Sequence, residues 1–297
     1  MPRENYGDLL AFLAVARERS FTRAAAQVGI SQSALSHAIQ ELEARLGVRL
    51  LTRTTRSVSP TEAGQRLLLS LSPRFEEIDL ELAAVSELRG KPAGTIRINT
   101  SDYALNTIVW PKLKPVLLQY PELKVETVVD YGLVDIVAER FDLGVRYGDQ
   151  VAKDMIAVRI GPDVRITIVG SPSYLKDRPR PRTPQDLTNH QCINMYLPSY
   201  GGLYPWELQK GKRELHVRVE GQLVFNSIFK IVEAALAGYG LAFVPEDLVR
   251  SDVKAGRLQW VLEDWFPTWP GLHVYYPSRR QSSRALTLVI DALRYKQ

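Results

Sequence analysis

One cysteine and four scattered histidines leave this sequence with little of the chemistry that metal sites and redox sites use. Cys192 is the single cysteine among 297 residues, so no disulfide can form within the chain and no oxidising compartment is indicated. The histidines form no pair at the spacing of a metal site. A glycine-rich phosphate loop and a nucleophile elbow are also missing. We therefore expect no metal, no cofactor and no enzymatic activity.

Long apolar runs are missing as well. No stretch reaches the roughly 18 uninterrupted apolar residues of a membrane-spanning helix, and the N-terminus has no basic segment that leads into an apolar one. The sequence therefore predicts a cytoplasmic protein without membrane contact. Both signs of charge are well represented, with 38 Lys and Arg against 33 Asp and Glu, and the net charge of +5 is compatible with nucleic-acid binding without establishing it.

Apolar residues at helical spacing predict two short helices at the start of the chain. The first has its apolar face between Tyr6 and Ala16. The second runs from Thr22 to Val28 after a cap at Ser20 or Thr22, and Gly29 supplies the positive φ that ends it. A helix, a short glycine turn and a further helix make up a helix-turn-helix unit.

The third helix is predicted from its N-cap, Ser31, to Leu46, and Gly47 closes it. Leu35, Ile39, Leu42 and Leu46 should pack inward, together with Ile30 before the helix. Short polar side chains occupy the other face, where they suit hydrogen bonds to base edges and phosphates, and a plain solvated face is the alternative. The predicted DNA contacts in this segment are Ser31, Gln32, Ser33, Ser36, His37 and Gln40.

A basic segment follows the third helix. Four arginines and no acid occur from residue 45 to residue 56, and residues 50–58 have the pattern of a short β-wing. Arginines on such a wing contact phosphates or a minor groove, and the signal is strong because it directly follows a helix-turn-helix. The predicted DNA contacts here are Arg53, Thr54 and Arg56.

A long helix is predicted next. Residues 59–62, Ser-Pro-Thr-Glu, have the form of a capping box with proline at the first helical position, and Pro73 predicts a kink. A stripe of apolar residues at 4-3-4-3 spacing needs a partner, and a dimeric coiled coil is the simplest one. Packing against the chain's own DNA-binding domain is the alternative. The stripe consists of Leu71, Phe75, Ile78, Leu82 and Val85.

The N-terminal motif resembles that of the LysR-type transcriptional regulators over almost its whole length. The resemblance is carried by residues 12–53, FLAVARERSFTRAAAQVGISQSALSHAIQELEARLGVRLLTR, and by Thr61-Glu-Ala-Gly. It implies a winged helix-turn-helix, a dimerising linker helix and a homotetramer built as a pair of homodimers. The implied partners are double-stranded promoter DNA, a small-molecule effector and, for an activator, RNA polymerase. By the resemblance, Ser33, Ser36 and Arg53 stand where DNA-contacting residues occur. Leu51 departs from the phenylalanine that many members carry.

The remaining two-thirds of the chain alternates strands and helices after a Gly/Pro break at residues 88–94, which predicts an α/β domain. One helix is expected at residues 134–139, and the final strand and helix should return to the first half of this domain. The layout is similar to the effector domain of the family, two α/β lobes resembling type 2 periplasmic binding proteins, and most suggests the branch with the meningococcal CrgA-like regulators. The predicted domains are 1–59 for the winged helix-turn-helix, 60–90 for the linker helix and 91–297 for the effector domain, with lobe I at about 91–162 and 268–297 and lobe II at about 163–267.

Ligands of open α/β folds collect at the carboxyl ends of strands and at the N-termini of the following helices. Two such places offer hydroxyls and backbone N–H groups to an anion, and an arginine at a strand end can pair with a carboxylate. A small organic anion is therefore the predicted effector. The predicted effector-binding residues are Thr100, Ser101, Asp102, Arg146, Tyr196, Asn226 and Ser227.

Each of these residues has an alternative role. Helix capping alone explains the polar ones. Asp102 argues against a second negative charge in the pocket, so a ligand with an amine or hydroxyl stays open. Tyr196, with Tyr200 and Tyr204 in the same loop, either lines the cleft or anchors the loop. Cys192 is expected in the core, with a redox sensor as the alternative.

These features together predict a DNA-binding regulator whose promoter binding responds to a small molecule. A solute-binding protein for transport would account for the lobes alone, but the helix-turn-helix argues against it. An architectural DNA binder that senses nothing is the other alternative. A response of DNA binding to metabolites separates the regulator from it.

Overall fold

Polar caps and left-handed glycines set the ends of the first helices in a computed structural model that describes residues 6–53, 58–87, 92–152, 154–277 and 283–296. Helix α1 spans Tyr6–Glu18, α2 spans Phe21–Val28 and α3 spans Gln32–Leu46. The Ser20 hydroxyl accepts from the Arg23 N–H, so Ser20 rather than Thr22 is the N-cap of α2. The predicted N-cap Ser31 and the predicted end at Gly47, whose φ is 66°, are confirmed.

The three helices share one apolar core. Phe12, Val15, Leu35, Ile39 and Leu42 are each completely buried in it. Two other predicted core residues are not, since 41% of Ile30 and 46% of Leu46 is exposed. Ile30 precedes the N-cap of α3 and Leu46 is its last residue, and helical spacing does not register that burial decreases at the ends of a helix.

The wing is a two-stranded antiparallel ribbon, with β1 at Leu51–Arg53 paired to β2 at Val58–Pro60. Helix α4 follows at Glu62–Glu87, so the predicted capping box is wrong by two residues. Thr61 is the residue whose hydroxyl accepts from the Gly64 N–H at 3.1 Å and donates to the Arg49 carbonyl at 2.7 Å. Ser59 and Pro60 belong to β2 instead, because pairing with β1 takes precedence over the capping pattern.

Gly64 brings the first turn of α4 against the backbone that enters the wing. A Cβ at this position would lie 2.0 Å from the Leu50 carbonyl oxygen, so only glycine fits without a shift of the backbone. The Thr61 N–H also donates to that carbonyl, at 2.9 Å. The wing and α4 are therefore joined through one backbone oxygen.

The apolar stripe of α4 divides into parts. Leu71 and Phe75 are half-buried against the core of the first three helices, while 51% of Ile78 is exposed. The helix continues through Pro73 without interruption. Leu82 and Val85 lie within α4, but their side chains are outside the described part of the structure. The first half of the stripe therefore packs against the chain's own DNA-binding domain, which was the alternative to a coiled coil.

A second compact unit begins at Ser86. Its helices are α5 (Asp102–Ala104), α6 (Trp110–Gln119), α7 (Pro172–Leu175), α8 (Ile228–Leu236), α9 (Glu246–Lys254) and α10 (Arg284–Leu293), with a π-helical turn at Leu105–Val109 between α5 and α6. Its strands are β3 (Gly94–Thr100), β4 (Leu123–Val129), β5 (Leu143–Tyr147), β6 (Met155–Arg159), β7 (Val164–Gly170), β8 (Cys192–Leu197), β9 (Gly202–Leu203), β10 (Trp206–Lys210), β11 (Arg213–Val217), β12 (Val224–Phe225), β13 (Leu241–Pro245), β14 (Gln259–Trp260), β15 (Thr268–Trp269) and β16 (Leu272–Pro277).

Two sheets make two lobes within this unit. Lobe I is built on a five-stranded sheet in the order β4-β3-β5-β16-β6, in which β3 runs parallel to β4 and β5. Lobe II is built on the sheet β12-β8-β13-β7-β14, to which β9 and β15 add short pairings, and it carries the separate hairpin β10-β11. The final strand β16 pairs with β5 and β6, so the chain returns to lobe I.

The chain crosses between the lobes twice, and the two crossovers touch. Gly271, in the second, donates its N–H to the Asp163 carboxylate in the first, at 3.0 Å. A Cβ on Gly271 would lie 2.3 Å from the Gly161 carbonyl oxygen. Thr268 and Trp269 pair with β7, so the second crossover begins after residue 269 rather than at 268.

The predicted helix at residues 134–139 is absent. The chain makes a hydrogen-bonded turn there, in which the Asp135 carboxylate accepts from the N–H groups of Val137 and Ala138 and Arg140 adopts a φ of 60°. The side chain of an aspartate satisfies the first amides, and the left-handed residue ends the turn before a helix propagates. Of the helices in the described ranges, none has the length and apolarity that a bilayer crossing needs.

Candidate functional site

The outward face of α3 is polar and open along its N-terminal half. Gln32, Ser33, His37 and Gln40 are exposed, as is the cap residue Ser31, and Ser36 is half-buried. The Ser31 hydroxyl accepts from the Ala34 N–H at 3.1 Å and lies 3.0 Å from the Ser33 hydroxyl. The first turn of α3 has no acidic residue, so its partial positive charge is uncancelled there. The face therefore offers donors and a favourable field to a phosphate.

Two further contacts tie this face to its surroundings. The Thr22 hydroxyl lies 3.5 Å from the Gln32 amide oxygen, which links α2 to the start of α3. His37 lies one turn before Glu41, with 3.6 Å between its Nδ1 and the carboxylate, and both side chains are exposed. His37 thus has an acidic neighbour on the same face.

Of the four arginines in the basic segment, Arg45 has an internal role. Its guanidinium pairs with the Asp8 carboxylate at 2.7 Å, and only 4% of Asp8 is exposed. A charge that neutralises a buried acid is not available to a phosphate. Arg49 is exposed. Thr54 and Arg56 lie outside the described residues, and so does the side chain of Arg53.

Glu43 positions the wing, a role that the sequence analysis missed. One of its carboxylate oxygens accepts from the N–H groups of Leu50 and Leu51, at 2.7 and 3.0 Å. The carboxylate therefore fixes the direction in which the chain leaves α3 and enters β1. Sequence spacing gives no signal for this, since Glu43 is one of two acids on α3 and nothing local distinguishes it from Glu41.

A cavity of about 170 Å³ lies between lobe I and lobe II. Its wall is mainly aromatic and aliphatic. The ring of Trp269 makes edge contacts with Tyr147 and Phe243, at centroid distances of 5.0 and 6.0 Å, and Phe243 stacks on Trp206 at 5.5 Å. The aromatic residues in the wall are Tyr103, Tyr131, Tyr147, Tyr204, Trp206, Phe243 and Trp269.

Arg146 lines the same cavity and is 5% exposed. Its guanidinium donates to the Asn99 amide oxygen at 2.5 Å and to the carbonyls of Gly132, Val145 and Asp130 at 2.6, 2.7 and 3.2 Å. Its Nε has no hydrogen-bond partner within the described structure. Burial lowers the pKa of Arg146 from its ordinary value, while the guanidinium remains the charged form near neutral pH. The Asp130 carboxylate and the phenols of Tyr275 and Tyr131 act on this charge electrostatically, but its hydrogen-bond acceptors are the Asn99 amide and backbone carbonyls.

Two adjacent residues of α5 join the lobes. The Asp102 carboxylate of lobe I accepts from the Ser227 hydroxyl of lobe II at 2.7 Å and from the hydroxyl of Tyr131. The Tyr103 hydroxyl donates to the Asp247 carboxylate of lobe II, at 3.0 and 3.1 Å from its two oxygens. Burial, and then the neighbouring charges, raise the pKa of Tyr103 and of Tyr131, so both phenols stay protonated donors.

Only some of the predicted effector residues line the cavity. Ser101 and Arg146 line the cavity, and the Ser101 hydroxyl also caps α5 by accepting from the Ala104 N–H. Asp102 and Ser227 form the contact between the lobes described above. The remaining predicted residues lie outside the cavity wall: Thr100 is completely buried in β3, Asn226 is exposed, and 45% of Tyr196 is exposed at the end of β8.

Cys192 begins β8 and is 1% exposed. Burial raises the pKa of its thiol to about 12. The thiol therefore stays protonated at physiological pH and is shielded from oxidants in solution. Within the described ranges, no group of three or more His, Cys, Asp or Glu side chains is arranged to hold a metal ion.

Two family models match successive parts of the chain. Residues 6–65 match the model described as "Bacterial regulatory helix-turn-helix protein, lysR family", and residues 89–297 match "LysR substrate binding domain". The second match alone covers more than half of the 297 residues. The helix-turn-helix and the two-lobed α/β domain expected from the sequence are confirmed.

Named relatives match along the whole length. A putative transcriptional regulator of Pseudomonas aeruginosa is 56% identical, over 99% of this chain and 96% of its own, and the HTH-type transcriptional regulator PgrR of Escherichia coli is 50% identical, over 100% and 99%. The likeness to CrgA of Neisseria meningitidis is more distant, at 27% identity over 98% and 96%. Among solved structures, the full-length Vibrio cholerae virulence activator AphB is similar with a TM-score of 0.67 and 25% identity, over 97% of this chain and 98% of that one.

Proposed function

The chain belongs to the LysR family of transcriptional regulators, and we propose that α3 and the wing bind double-stranded promoter DNA under the control of a small molecule held between the lobes. The observation that carries the proposal is the cavity, which is enclosed by side chains of both lobes in a chain whose N-terminal unit is a winged helix-turn-helix. A role at promoters requires the cytoplasm as the place of action. Enzymatic activity is no part of the proposal.

In this proposal α3 enters the major groove with its N-terminal half. Gln32, Ser33, Ser36, His37 and Gln40 face base edges and phosphates, and the wing with Arg53, Thr54 and Arg56 contacts the backbone beside them. Two such units, paired through Ile78 and the C-terminal half of α4, would read half-sites about one helical turn apart. A homotetramer formed as a pair of dimers would span two sites, and an activator would also contact RNA polymerase.

The effector acts in this scheme by population shift. A ligand that binds one arrangement of the lobes more tightly than the other moves the equilibrium toward it, and the promoter complex changes with it. A small organic anion is the proposed effector class, because Arg146 supplies the charged group of the cavity wall. A ligand with equal affinity for both arrangements would leave DNA binding unchanged.

The test is a footprint at several salt concentrations on the DNA upstream of the protein's own gene, with and without pooled cell metabolites. We expect two spaced protected segments that contract or shift when metabolites are added. Unchanging protection would rule out effector control and favour an architectural DNA binder. Metabolite binding without any protection, at this and at genome-wide selected sites, would favour a solute-binding role.

Single substitutions separate base readout from phosphate contact. We expect Gln32→Ala to change the preference among operator variants and Arg53→Ala to weaken binding to all sequences alike. Gln27→Ala, the same change at an exposed position on α2, is the matched control. Equal losses on operator and random DNA for Gln32→Ala would contradict its role in base readout.

A further inference from the structure

The size of the cavity limits what it can hold. An apolar cavity of about 150 Å³ holds one benzene ring, and the cavity between the lobes measures about 170 Å³. A single ring with a short side arm, or an aliphatic body of that size, therefore fits without opening the lobes. Larger bodies require the lobes to separate.

The wall favours an apolar, flat body. The rings of Trp269 and Phe243 meet edge to face at an interplanar angle of 73°, and Ile193, Ile231 and Met195 contribute aliphatic surface. The phenols of Tyr103 and Tyr131 already donate to carboxylates outside the wall. A polyhydroxylated ligand would find few free partners here and would lose its own hydration.

The charge of the cavity wall indicates the charge of the ligand. Among the described residues of the wall, Arg146 is the one with a formal charge, and it combines near-complete burial with an Nε that lacks a hydrogen-bond partner. The Asp130 carboxylate acts on this guanidinium electrostatically, but the buried Nε without a partner still gains from an anion within the same low-dielectric space. The acids nearby, Asp102 and Asp247, hold Ser227 and Tyr103 across the lobe contact and oppose a second negative charge.

From these observations we propose that the cavity binds a monocarboxylate with a single-ring or similarly compact apolar body, its carboxylate directed to Arg146. This assignment rests on the proposed function in treating the cavity as the effector site, and it narrows the effector from organic anions in general. Dicarboxylates, phosphates and sugars are excluded by the single positive charge and by the apolar wall.

The test is isothermal calorimetry on the full chain with benzoate and phenylacetate as probes. Benzamide and phenylacetamide are neutral controls of the same shape, and acetate and succinate control for the ring and for a second charge. We expect the aromatic acids to bind at least about tenfold more tightly than their amides, because a charge-assisted hydrogen bond to the guanidinium is stronger than one to a neutral amide oxygen. Acetate and succinate should show no saturable binding at the same concentrations.

Gln150 offers a matched pair of variants, because it lines the cavity and is exposed, so neither substitution strains the core. We expect Gln150→Glu to weaken benzoate binding by roughly fivefold and Gln150→Lys to strengthen it, with both effects shrinking at high salt. Arg146→Met should abolish the preference of acid over amide. The Gln150 pair keeps the test decisive if Arg146→Met does not fold.

The outcomes distinguish this proposal from the proposed function. Equal affinity for acid and amide, equal binding of succinate, or no binding of any aromatic acid would overturn the monocarboxylate assignment. A metabolite-dependent footprint alongside such a result would leave the regulator intact with another effector. Tight benzoate binding with a footprint that never changes would support the ligand class and refute effector control.

Discussion

At the residue scale, burial at the start of β8 determines the reactivity of the Cys192 thiol. Its thiol pKa is raised to about 12, so the neutral thiol dominates at every pH below that value and the thiolate forms only as the pH approaches it. We expect native protein at pH 8 to react with Ellman's reagent at least about a hundredfold more slowly than protein unfolded in urea. Cys192→Ala supplies the blank. Rapid labelling of the native chain would instead support the alternative that Cys192 is a redox sensor.

Gly64 is constrained by backbone rather than by side chains. Because a Cβ there would meet the Leu50 carbonyl at 2.0 Å, Gly64→Ala has to move α4 away from the wing. We expect a loss of about 1–3 kcal/mol in the free energy of unfolding, measured by urea titration with circular dichroism. Gly202→Ala has no heavy atom within 4 Å of its added Cβ and is the control. Similar midpoints for both variants would contradict the steric argument.

Single residues also show why sequence reasoning reached only part of the site. The position of Arg146 at a strand end was enough to mark it as a candidate, and the structure has it in the cavity wall. That its donors go to Asn99 and backbone carbonyls depends on the turn after β4, which brings residues 130–132 against it. Contacts between segments so far apart in the chain leave no local pattern.

At the element scale, we propose that opposite faces of α4 have different roles. Ile78 belongs to the apolar stripe, while Leu69 lies about half a turn away around the helix, and both are exposed, at 51% and 61%. We expect Ile78→Glu to raise the dissociation constant of the dimer by at least about tenfold, because a charge in the stripe opposes pairing of two helices. Sedimentation velocity over a concentration series measures this.

Leu69→Glu is the matched control, since it places the same charge on the other face of α4. It should leave self-association unchanged. If Leu69→Glu dissociates the protein and Ile78→Glu does not, the dimer uses a different face of the helix and the stripe has another partner.

Local chemistry determined which element boundaries the sequence could predict. Ser31 and Gly47 bound α3 as predicted, because a cap and a left-handed glycine act on neighbouring residues. The predicted start of α4 was wrong because it depends on a contact between separate segments, and the predicted helix at residues 134–139 was wrong because a competing local cap was not recognised. Pairing of Pro60 with Leu51 and capping by Asp135 compete with helix formation, and the first depends on a strand nine residues away.

At the scale of the whole effector unit, α5 connects the lobes beside the cavity. We expect Tyr103→Phe and Ser227→Ala, each of which removes a hydrogen bond across the lobe contact, to speed amide exchange at the start of α8 and α9 by roughly tenfold. Hydrogen–deuterium exchange with mass spectrometry measures the effect. Tyr239→Phe, at an exposed position in lobe II, is the control. Unchanged exchange in both variants would show that the core contacts alone hold the lobes.

The cavity itself was beyond sequence analysis, although its location between lobes was expected from the fold. Its aromatic wall comes from α5, the turn after β4, the segment before β10, and strands β5, β10, β13 and β15, and Tyr103 and Trp269 lie about 170 positions apart in the chain. Trp206 and Phe243 each look like ordinary core residues in their own strands. Only the assembled tertiary structure shows that one face of their stack borders an open space.

The contact between the two crossovers sets how the lobes can move. Gly271 is packed against Gly161 and is tied to Asp163, so the two connections cannot slide past each other. We expect a double connection that is held together at one point to favour hinge rotation of the lobes over sliding. A ligand in the cavity would then change mainly the angle between the two lobes. Insertion of one residue at either crossover would weaken this constraint without altering the cavity wall.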